Sequence, residues 1–325
     1  MIRYISKRLL ALLPMLFGIT ILAFFIMKAA PGDPVGMFMD PSVSLQDMER
    51  IRSNLGFDKP IITQYFIWLK NCLTGNFGYS LVTGKPALEA IIERLPATLL
   101  LSLSSLVLIL LITFPLGILC GYKKDSVVDD GITVFSFLGL SMPSFWLGLM
   151  LILLFSFQLD WFPTSGFMDP LMYGESFFRQ AGNVAYHMFL PLLTIMIGGI
   201  AGLTRYNRFG IIKILGQDYI TAARARGLSE WRILFKHAFK NILLPIITLL
   251  GLDLPGLISG SYIIEYIFSW PGMGQLAIQS VFQRDYPILM TAIVLSSVLI
   301  ILGTLISDMC YALVDPRITK KGGNS

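Results

Sequence analysis

The sequence predicts an all-α membrane protein with six transmembrane helices and both termini in the cytoplasm. Of its 325 residues, 55% are hydrophobic and only 14% are charged, whereas a soluble globular chain carries about 25% charged residues. Six apolar stretches are long enough to cross a bilayer, and the positive charges collect in the loops that we assign to the inside. This positive-inside bias accounts for the net charge of +5, so we expect no nucleic-acid partner.

The six predicted spans each approach or exceed the roughly 20 mostly apolar residues that a membrane-crossing helix needs. They cover residues 9–29, 97–122, 132–159, 188–204, 245–268 and 288–314. The first is longer than the apolar part of a signal peptide, so we expect it to be retained as a helix. Prolines at positions 115, 143, 191 and 255 interrupt later spans and predict kinked helices.

The orientation follows from the Lys and Arg residues. The tracts that we assign to the inside (1–8, 122–131, 205–244 and 315–325) hold sixteen of them, and those assigned to the outside (28–96, 158–187 and 266–287) hold nine. The predicted organisation is therefore a cytoplasmic N-terminus (1–8), a first helix (9–30), an extracytoplasmic segment (31–96), a core of five helices (97–314) and a cytoplasmic tail (315–325).

The extracytoplasmic segment starts at a Pro-Gly-Asp-Pro stop over residues 31–34. Apolar residues spaced three or four apart predict amphipathic helices over 44–55 and 60–73. Tyr65 and Trp68 in the second helix suit a membrane interface. The segment is either a cap on the outer membrane surface or a docking platform for an external partner, and the two interpretations are compatible.

A glycine-rich stretch in the same segment imitates a phosphate-binding loop without meeting its requirements. Between Gly78 and Gly84 there is one residue too many, and Pro86 stands where the loop needs Ser or Thr to ligate magnesium. We therefore expect no nucleotide site in this chain. Three cysteines and two histidines are too few and too scattered for a disulfide framework or a metal centre, so no cofactor or metal is expected either.

The basic segment 205–244 is the most informative part of the chain. Between Arg205 and Lys240 it holds eight Lys or Arg against two acids, Asp218 and Glu230. Three alanines favour a helix that stops at Gly227, and Ser229 is a plausible N-cap for a second short helix. The pattern predicts a helix–glycine–helix docking surface for a cytoplasmic partner.

Polar residues within the apolar spans are candidates for a translocation path. Asp253 and Glu265 lie inside and near the outer end of the fifth predicted span, and Ser141 lies at the most polar point of the third. A carboxylate at membrane depth is costly and usually faces water or a partner, although a packing role stays open for Asp253. Small-residue pairs at Gly117/Gly121, Gly198/Gly202 and Gly256/Gly260 predict close helix packing, either within this chain or on a second membrane subunit.

Several of these residues resemble a known family. Thr221-Ala222-Ala223, Gly227 and Ile242-Leu243-Leu244-Pro245 resemble the EAA loop of bacterial ABC importer permeases, with Thr221 in place of the family's glutamate. Fourteen residues separate Gly227 from Ile242, a spacing similar to that of the peptide/nickel branch. Further blocks similar to the B-type permease subunit of that branch are found at 31–34, 55–60, 162–166, 265–272 and 315–317.

The resemblance implies a type I importer permease fold in which a coupling helix sits in a groove of an ATPase. It assigns coupling to Tyr219, Thr221, Ala222, Ala223, Arg224, Arg226, Gly227, Leu244 and Pro245. It implies a C-type permease partner, two ATPases that bind ATP and Mg, an external substrate-binding protein, a peptide substrate and a bacterial inner-membrane location. Nickel chelates or opines are alternative substrates, and an ion-coupled secondary transporter is the rival class.

Overall fold

The computed structural model describes residues 2–29, 58–239, 241–242 and 262–314, and these residues are mainly helical. The α-helices are α1 (Ile2–Ala29), α2 (Ile61–Leu73), α3 (Ala87–Tyr122), α4 (Val127–Ser141), α5 (Ser144–Leu151), α6 (Phe177–Leu215), α7 (Asp218–Ala225), α8 (Glu230–Arg232), α9 (Tyr262–Ile267), α10 (Met273–Gln283) and α11 (Tyr286–Val314). Short π-helices follow α5 and α8 over Ile152–Gln158 and Ile233–Phe239, and a 3₁₀ turn covers Pro170–Met172. Among the described residues, β-pairing is limited to one bridge between Tyr79 and Pro86.

Three of these helices, α3, α6 and α11, are long and apolar enough to cross a membrane, and the bent pair α4 and α5 counts as a fourth if it forms one span. In α1 the apolar part is the shorter helix Pro14–Ala29. The predicted amphipathic helix over 44–55, most of the predicted span 245–268 and the tail 315–325 lie outside the described residues.

The third predicted span, 132–159, is interrupted at Pro143 as predicted, but the interruption is a complete break between two helices rather than a kink within one. The chain breaks between α4 and α5 and turns by 101°. Pro143 contributes to the break, because a clash with the proline ring disfavours the helical region for the preceding residue. Met142, directly before Pro143, has φ −86° and ψ 124°, which ends α4 in an extended conformation.

The centre of the molecule is the pair α3 and α6. A Cβ atom built at Gly117 would overlap Asn207, and one at Gly121 would overlap Ile211. Ile109 of α3 approaches Gly199 of α6 in the same way, so each contact joins residues 90 apart in sequence. A constant offset along both helices means that α3 and α6 run parallel. The Gly117/Gly121 pair therefore packs within this chain, one of the two alternatives left open by the sequence.

Helix α2 packs on the C-terminal half of α1. Tyr65 is buried, lies edge-on to Phe24, and its hydroxyl is 2.9 Å from the Thr20 hydroxyl. The helix predicted over 60–73 is thus confirmed as Ile61–Leu73, and the interfacial position expected for Tyr65 stays a prediction. Met290 at the start of α11 joins the same buried cluster, so the end of α1 lies beside the beginning of α11.

Candidate functional site

The helix predicted before Gly227 is present as α7. It starts after Gln217, whose backbone is extended, and it ends where Gly227 adopts φ +77°. The Gly227 N–H donates to the Arg224 carbonyl at 2.9 Å and the Leu228 N–H to the Ala223 carbonyl at 3.2 Å. This is a glycine stop in the left-handed region, where a side chain is unfavourable, and the predicted end of the helix is confirmed.

Helix α7 has one buried face and one exposed face. Ile220 and Ala223 are buried and form a cluster with Ile233, onto which Ile214 and Leu215 at the end of α6 also pack. The predicted coupling residues that are exposed in α7 and the turn after it are Tyr219, Thr221, Ala222, Arg224, Arg226 and Gly227. Of the two alanines expected to approach a partner, Ala223 instead fits this chain's own interior, which leaves Ala222 on the outward face.

An ion pair closes the turn after α7. Arg224 donates to both carboxylate oxygens of Glu230, from Nε to Oε1 at 2.8 Å and from Nη2 to Oε2 at 3.2 Å. These hydrogen bonds lower the pKa of the Glu230 carboxyl below its ordinary value and raise the pKa of Arg224. Ser229 occupies the N-cap position of α8 as predicted, but its side chain makes no capping hydrogen bond.

The chain beyond α8 returns to the helix bundle. Trp231 stacks on Phe235, with ring centroids 4.7 Å apart, and Asn241 donates through Nδ2 to the Tyr219 hydroxyl at 3.1 Å. Ala238 and Ile242 then pack against Ile211 in a buried cluster that Phe114 and Ile118 of α3 also contact. Helix α7 therefore packs on the end of α6, and the segment that follows it returns to the α3–α6 pair. The predicted coupling residues Leu244 and Pro245 lie outside the described residues.

The three candidate path residues have different surroundings. Ser141 is exposed at the last position of α4, where its hydroxyl donates to the Leu138 carbonyl at 2.9 Å. Asp253 lies outside the described residues. Glu265 is fully buried, and its Oε2 accepts from the N–H groups of Gly274 and Gln275 at 2.7 and 3.3 Å.

Through these hydrogen bonds, Glu265 joins α9 to the first turn of α10. The N–H groups in the first turn of a helix have no partner within the helix, and they favour a nearby carboxylate. Gly272 lies so close to the Glu265 carboxylate that a Cβ atom built at Gly272 would overlap it. Trp270 in the same turn donates through Nε1 to the Ala97 carbonyl at 2.8 Å, and the Met273 N–H donates to the Thr98 hydroxyl at 2.8 Å. The turn thus fixes α10 to the start of α3, and a path role for Glu265 stays a prediction.

The sequence did not single out the pair Asp129 and Arg208. Arg208 lies in the basic segment but belongs to α6, which continues to Leu215 rather than ending at the predicted 204. Its Nε and Nη2 donate to Asp129 Oδ1 and Oδ2 at 2.6 and 2.7 Å, and the Asp129 side chain is fully buried. Across the described ranges, no three His, Cys, Asp or Glu side chains meet in a way that would hold a metal ion.

The chain is similar to membrane components of transport systems over nearly its whole length. Residues 113–320 match the model of a family described as binding-protein-dependent transport system inner membrane component, and residues 1–104 match the model of its N-terminal part. The match covers both the basic segment with α7 and the paired helices that hold it.

Three curated relatives align almost end to end. The oligopeptide transport system permease protein AppB of Bacillus subtilis (strain 168) is 48% identical over 319 residues, 98% of this chain and 99% of that protein. The di/tripeptide transport system permease protein DppB of Pseudomonas aeruginosa (strain UCBPP-PA14) is 35% identical, with coverage of 98% and 99%. The glutathione transport system permease protein GsiC of Escherichia coli (strain K12) is 34% identical, with coverage of 99% and 100%.

A solved structure shares the fold. A chain of the MetNI methionine ABC transporter in an inward-facing conformation aligns with a TM-score of 0.55, covering 71% of this chain and 98% of that chain. At 17% sequence identity this likeness concerns the fold alone.

Proposed function

We propose that this chain, which belongs to the family of inner-membrane components of binding-protein-dependent transport systems, forms a translocation path for peptides as the B-type permease of an ATP-driven importer. The observation that carries the proposal is α7, a short helix with one face packed on the membrane helices and the other exposed. Relatives named for oligopeptide, di/tripeptide and glutathione transport support a peptide substrate.

The directions of the helices support six spans. Because α3 and α6 run parallel, we infer one membrane crossing between Tyr122 and Phe177, with α4 and α5 as one broken span rather than a re-entrant loop. Ile91 of α3 and Ile288 of α11 share one buried cluster, so these two helices begin on the same side. A further crossing between α6 and α11 is then needed, and we assign it to the predicted span over 245–268, most of which lies outside the described residues.

The same geometry supports cytoplasmic termini. Helix α1 ends where α11 begins, so the N-terminus of α1 and the C-terminal end of α11 lie on the side where α6 ends and α7 follows. This side carries the basic segment, and Lys- and Arg-rich loops are retained in the cytoplasm. We place α7 there, facing the ATPases.

In the proposed mechanism, the ATPase subunits hydrolyse ATP and the permease subunits form the path. Two cytoplasmic ATPases bind ATP and Mg, and a groove on one of them receives α7 in a helix-in-groove contact. Closure of the ATPase dimer displaces α7. The membrane helices on which α7 packs then move, and their movement opens or closes the path between this chain and a C-type permease. An external binding protein delivers the peptide, and we assign Ser141 and Asp253, with Glu265 as a third candidate, to that path.

The test is uptake of radiolabelled tripeptides into proteoliposomes that contain the assembled complex with ATP inside and the binding protein outside. We expect uptake that requires ATP and stops with a non-hydrolysable analogue. Uptake driven by a proton gradient without ATP would overturn the proposal in favour of a secondary transporter. ATP-driven uptake of a nickel chelate or an opine, with no peptide transported, would overturn the substrate assignment.

A further inference from the structure

We infer that Arg208 and Asp129 are positioning residues that make α4 follow α6, so that a displacement of α7 reaches the helix break at Met142. This inference rests on the proposed function. It concerns a contact between two helices of this chain, away from the surface that α7 exposes.

The ion pair between Arg208 and Asp129 has a fixed geometry. Both carboxylate oxygens of Asp129 accept from the guanidinium of Arg208, at 2.6 and 2.7 Å, and the planar fork of arginine fits a carboxylate at two points. Arg208 is only 18% exposed and Asp129 is fully buried. The other ion pairs between described residues involve acids that are at least 40% exposed.

Asp129 also fixes the start of its own helix. The Asp125 N–H donates to Asp129 Oδ2 at 3.0 Å, and Asp125 adopts φ +60° to do so. The Ser126 hydroxyl accepts from the Asp129 N–H at 3.4 Å as the N-cap of α4. One carboxylate therefore joins the α3–α4 turn, the first turn of α4 and the end of α6.

Further contacts keep α4 on α6 up to the break. The Arg205 guanidinium lies 4.5 Å from the centre of the Phe137 ring, a cation–π contact two turns along α4 from Asp129. A Cβ at Gly139 would be 3.1 Å from the Ala201 Cβ, so the two helices are close-packed just before Ser141. The break at Met142 follows directly.

On the other side of the break, α5 packs on an earlier stretch of α6 and also on α9. A Cβ at Gly148 would be 3.1 Å from Phe268 and 3.6 Å from Thr194 of α6, and Leu147 packs in a cluster with Leu190 of α6 and with Phe268 and Ile264. The two halves of the broken span therefore lie on different stretches of α6, and only α5 is also attached to α9. When α6 moves, α4 moves with it, and the angle between α4 and α5 at Met142 changes. The surroundings of the exposed Ser141 side chain then change as well.

The test measures coupling rather than stability. The complex is reconstituted with Asp129→Asn or Arg208→Gln, and uptake of radiolabelled trialanine is divided by ATP hydrolysed in the same vesicles. We expect the ratio to fall about tenfold, within the usual range for coupling between two sites, while ATP hydrolysis continues. Arg208→Lys, which keeps the charge but loses the fork, should give an intermediate ratio, and Glu93→Gln, in an exposed pair with Lys85, should leave it unchanged.

A disulfide between α4 and α6 distinguishes a role of the ion pair in positioning α4 from a role in folding. In a cysteine-free background, Gly139→Cys and Ala201→Cys should form a disulfide, because their Cβ atoms need to move apart only slightly to reach its usual range of 3.5–4.5 Å. Adding this pair to Asp129→Asn should restore the ratio under oxidising conditions and lose it again with reductant. An unchanged ratio in Asp129→Asn, or a ratio that the disulfide does not restore, would overturn the inference. If the unaltered complex shows no ATP-driven uptake, the proposed function itself fails.

Discussion

Arg224 and Glu230 form a two-point ion pair across the Gly227 turn, with nitrogen–oxygen distances of 2.8 and 3.2 Å. The pair uses the Arg224 guanidinium within this chain, although the resemblance assigns both Arg224 and Arg226 to coupling with a partner. Arg226 is exposed and takes part in none of the ion pairs between described residues. A partner's acidic groups would therefore meet Arg226 first.

The first prediction concerns the pH dependence of this turn. The pKa of Glu230 is lower in the folded chain than its ordinary 4.5, so the stabilisation is fully present above that value and is lost as the pH falls through the folded pKa. The protection of the α7 and α8 amides, after correction for the intrinsic pH dependence of hydrogen exchange, should fall as the pH drops through that acidic range. The loss of opening free energy should be less than about 1 kcal/mol because the pair is partly exposed. Glu230→Gln should abolish this dependence, whereas Glu175→Gln, from the exposed pair with Arg179, should keep it. If exchange in Glu230→Gln shows the same pH dependence as in the unaltered chain, Glu230 is not the group that controls it.

The second prediction concerns Gly227. At φ +77° a β-branched residue is strained by roughly 1–2 kcal/mol or more, so Gly227→Val should greatly reduce ATP-driven uptake while membrane insertion stays normal. Asparagine tolerates this region better, and Gly227→Asn should retain more uptake. Gly216, with φ −83°, supplies the control, since Gly216→Ala should be nearly neutral. Normal uptake in Gly227→Val would count against a coupling role for this turn.

The third prediction concerns the α3–α6 contact. Gly117→Ala places a methyl group on Asn207, and overpacking of this kind costs about 1–3 kcal/mol. Thermal unfolding of the purified complex in detergent should move to lower temperature. Gly131 in α4 has no atom within 4 Å of the position its Cβ would take, so Gly131→Ala should not lower the unfolding temperature. Equal shifts for the two variants would show that the contact does not limit stability.

The fourth prediction concerns the path. In a cysteine-free background, Ser141→Cys should react with a small water-soluble thiol reagent, and a transported peptide should slow the reaction. Ser136 lies on the same helix but is buried and donates to the Ile132 carbonyl at 2.8 Å. Ser136→Cys should therefore stay unreactive. If Ser141→Cys is labelled at the same rate with and without peptide during ATP-driven uptake, Ser141 does not line the path.

Local chemistry explains which parts of this structure could be predicted from the sequence. The stop of α7 at Gly227 is a property of one residue's backbone, and the helix before it follows from alanine propensity. Pro143 was recognised as an interruption, but proline alone does not say whether a helix kinks or turns by 101°. That outcome also depends on long-range packing, because α4 lies on the second half of α6 whereas α5 packs on an earlier stretch of α6 and on α9.

Long-range contacts explain what was missed. Arg205 and Arg208 look like loop residues because they are charged, yet α6 continues through them since Phe137 and Asp129 supply partners from another helix. Glu265 likewise resembles a path residue in sequence. Its contact with the Gly274 N–H exists only because the Trp270 turn folds α10 back onto α9, and no local pattern encodes that pairing.

The measurement that tests the central claim most directly is cysteine cross-linking from α7 to the ATPase in the assembled complex. Ala222 and Ala223 are neighbours of the same size, but Ala222 is exposed and Ala223 is only 7% exposed. With a single cysteine on the ATPase surface, Ala222→Cys should form a cross-linked product whose yield changes on ATP addition, and Ala223→Cys should form little. The account is contradicted if neither cysteine reaches the ATPase, or if a membrane-impermeant reagent labels Ala222→Cys from outside intact cells.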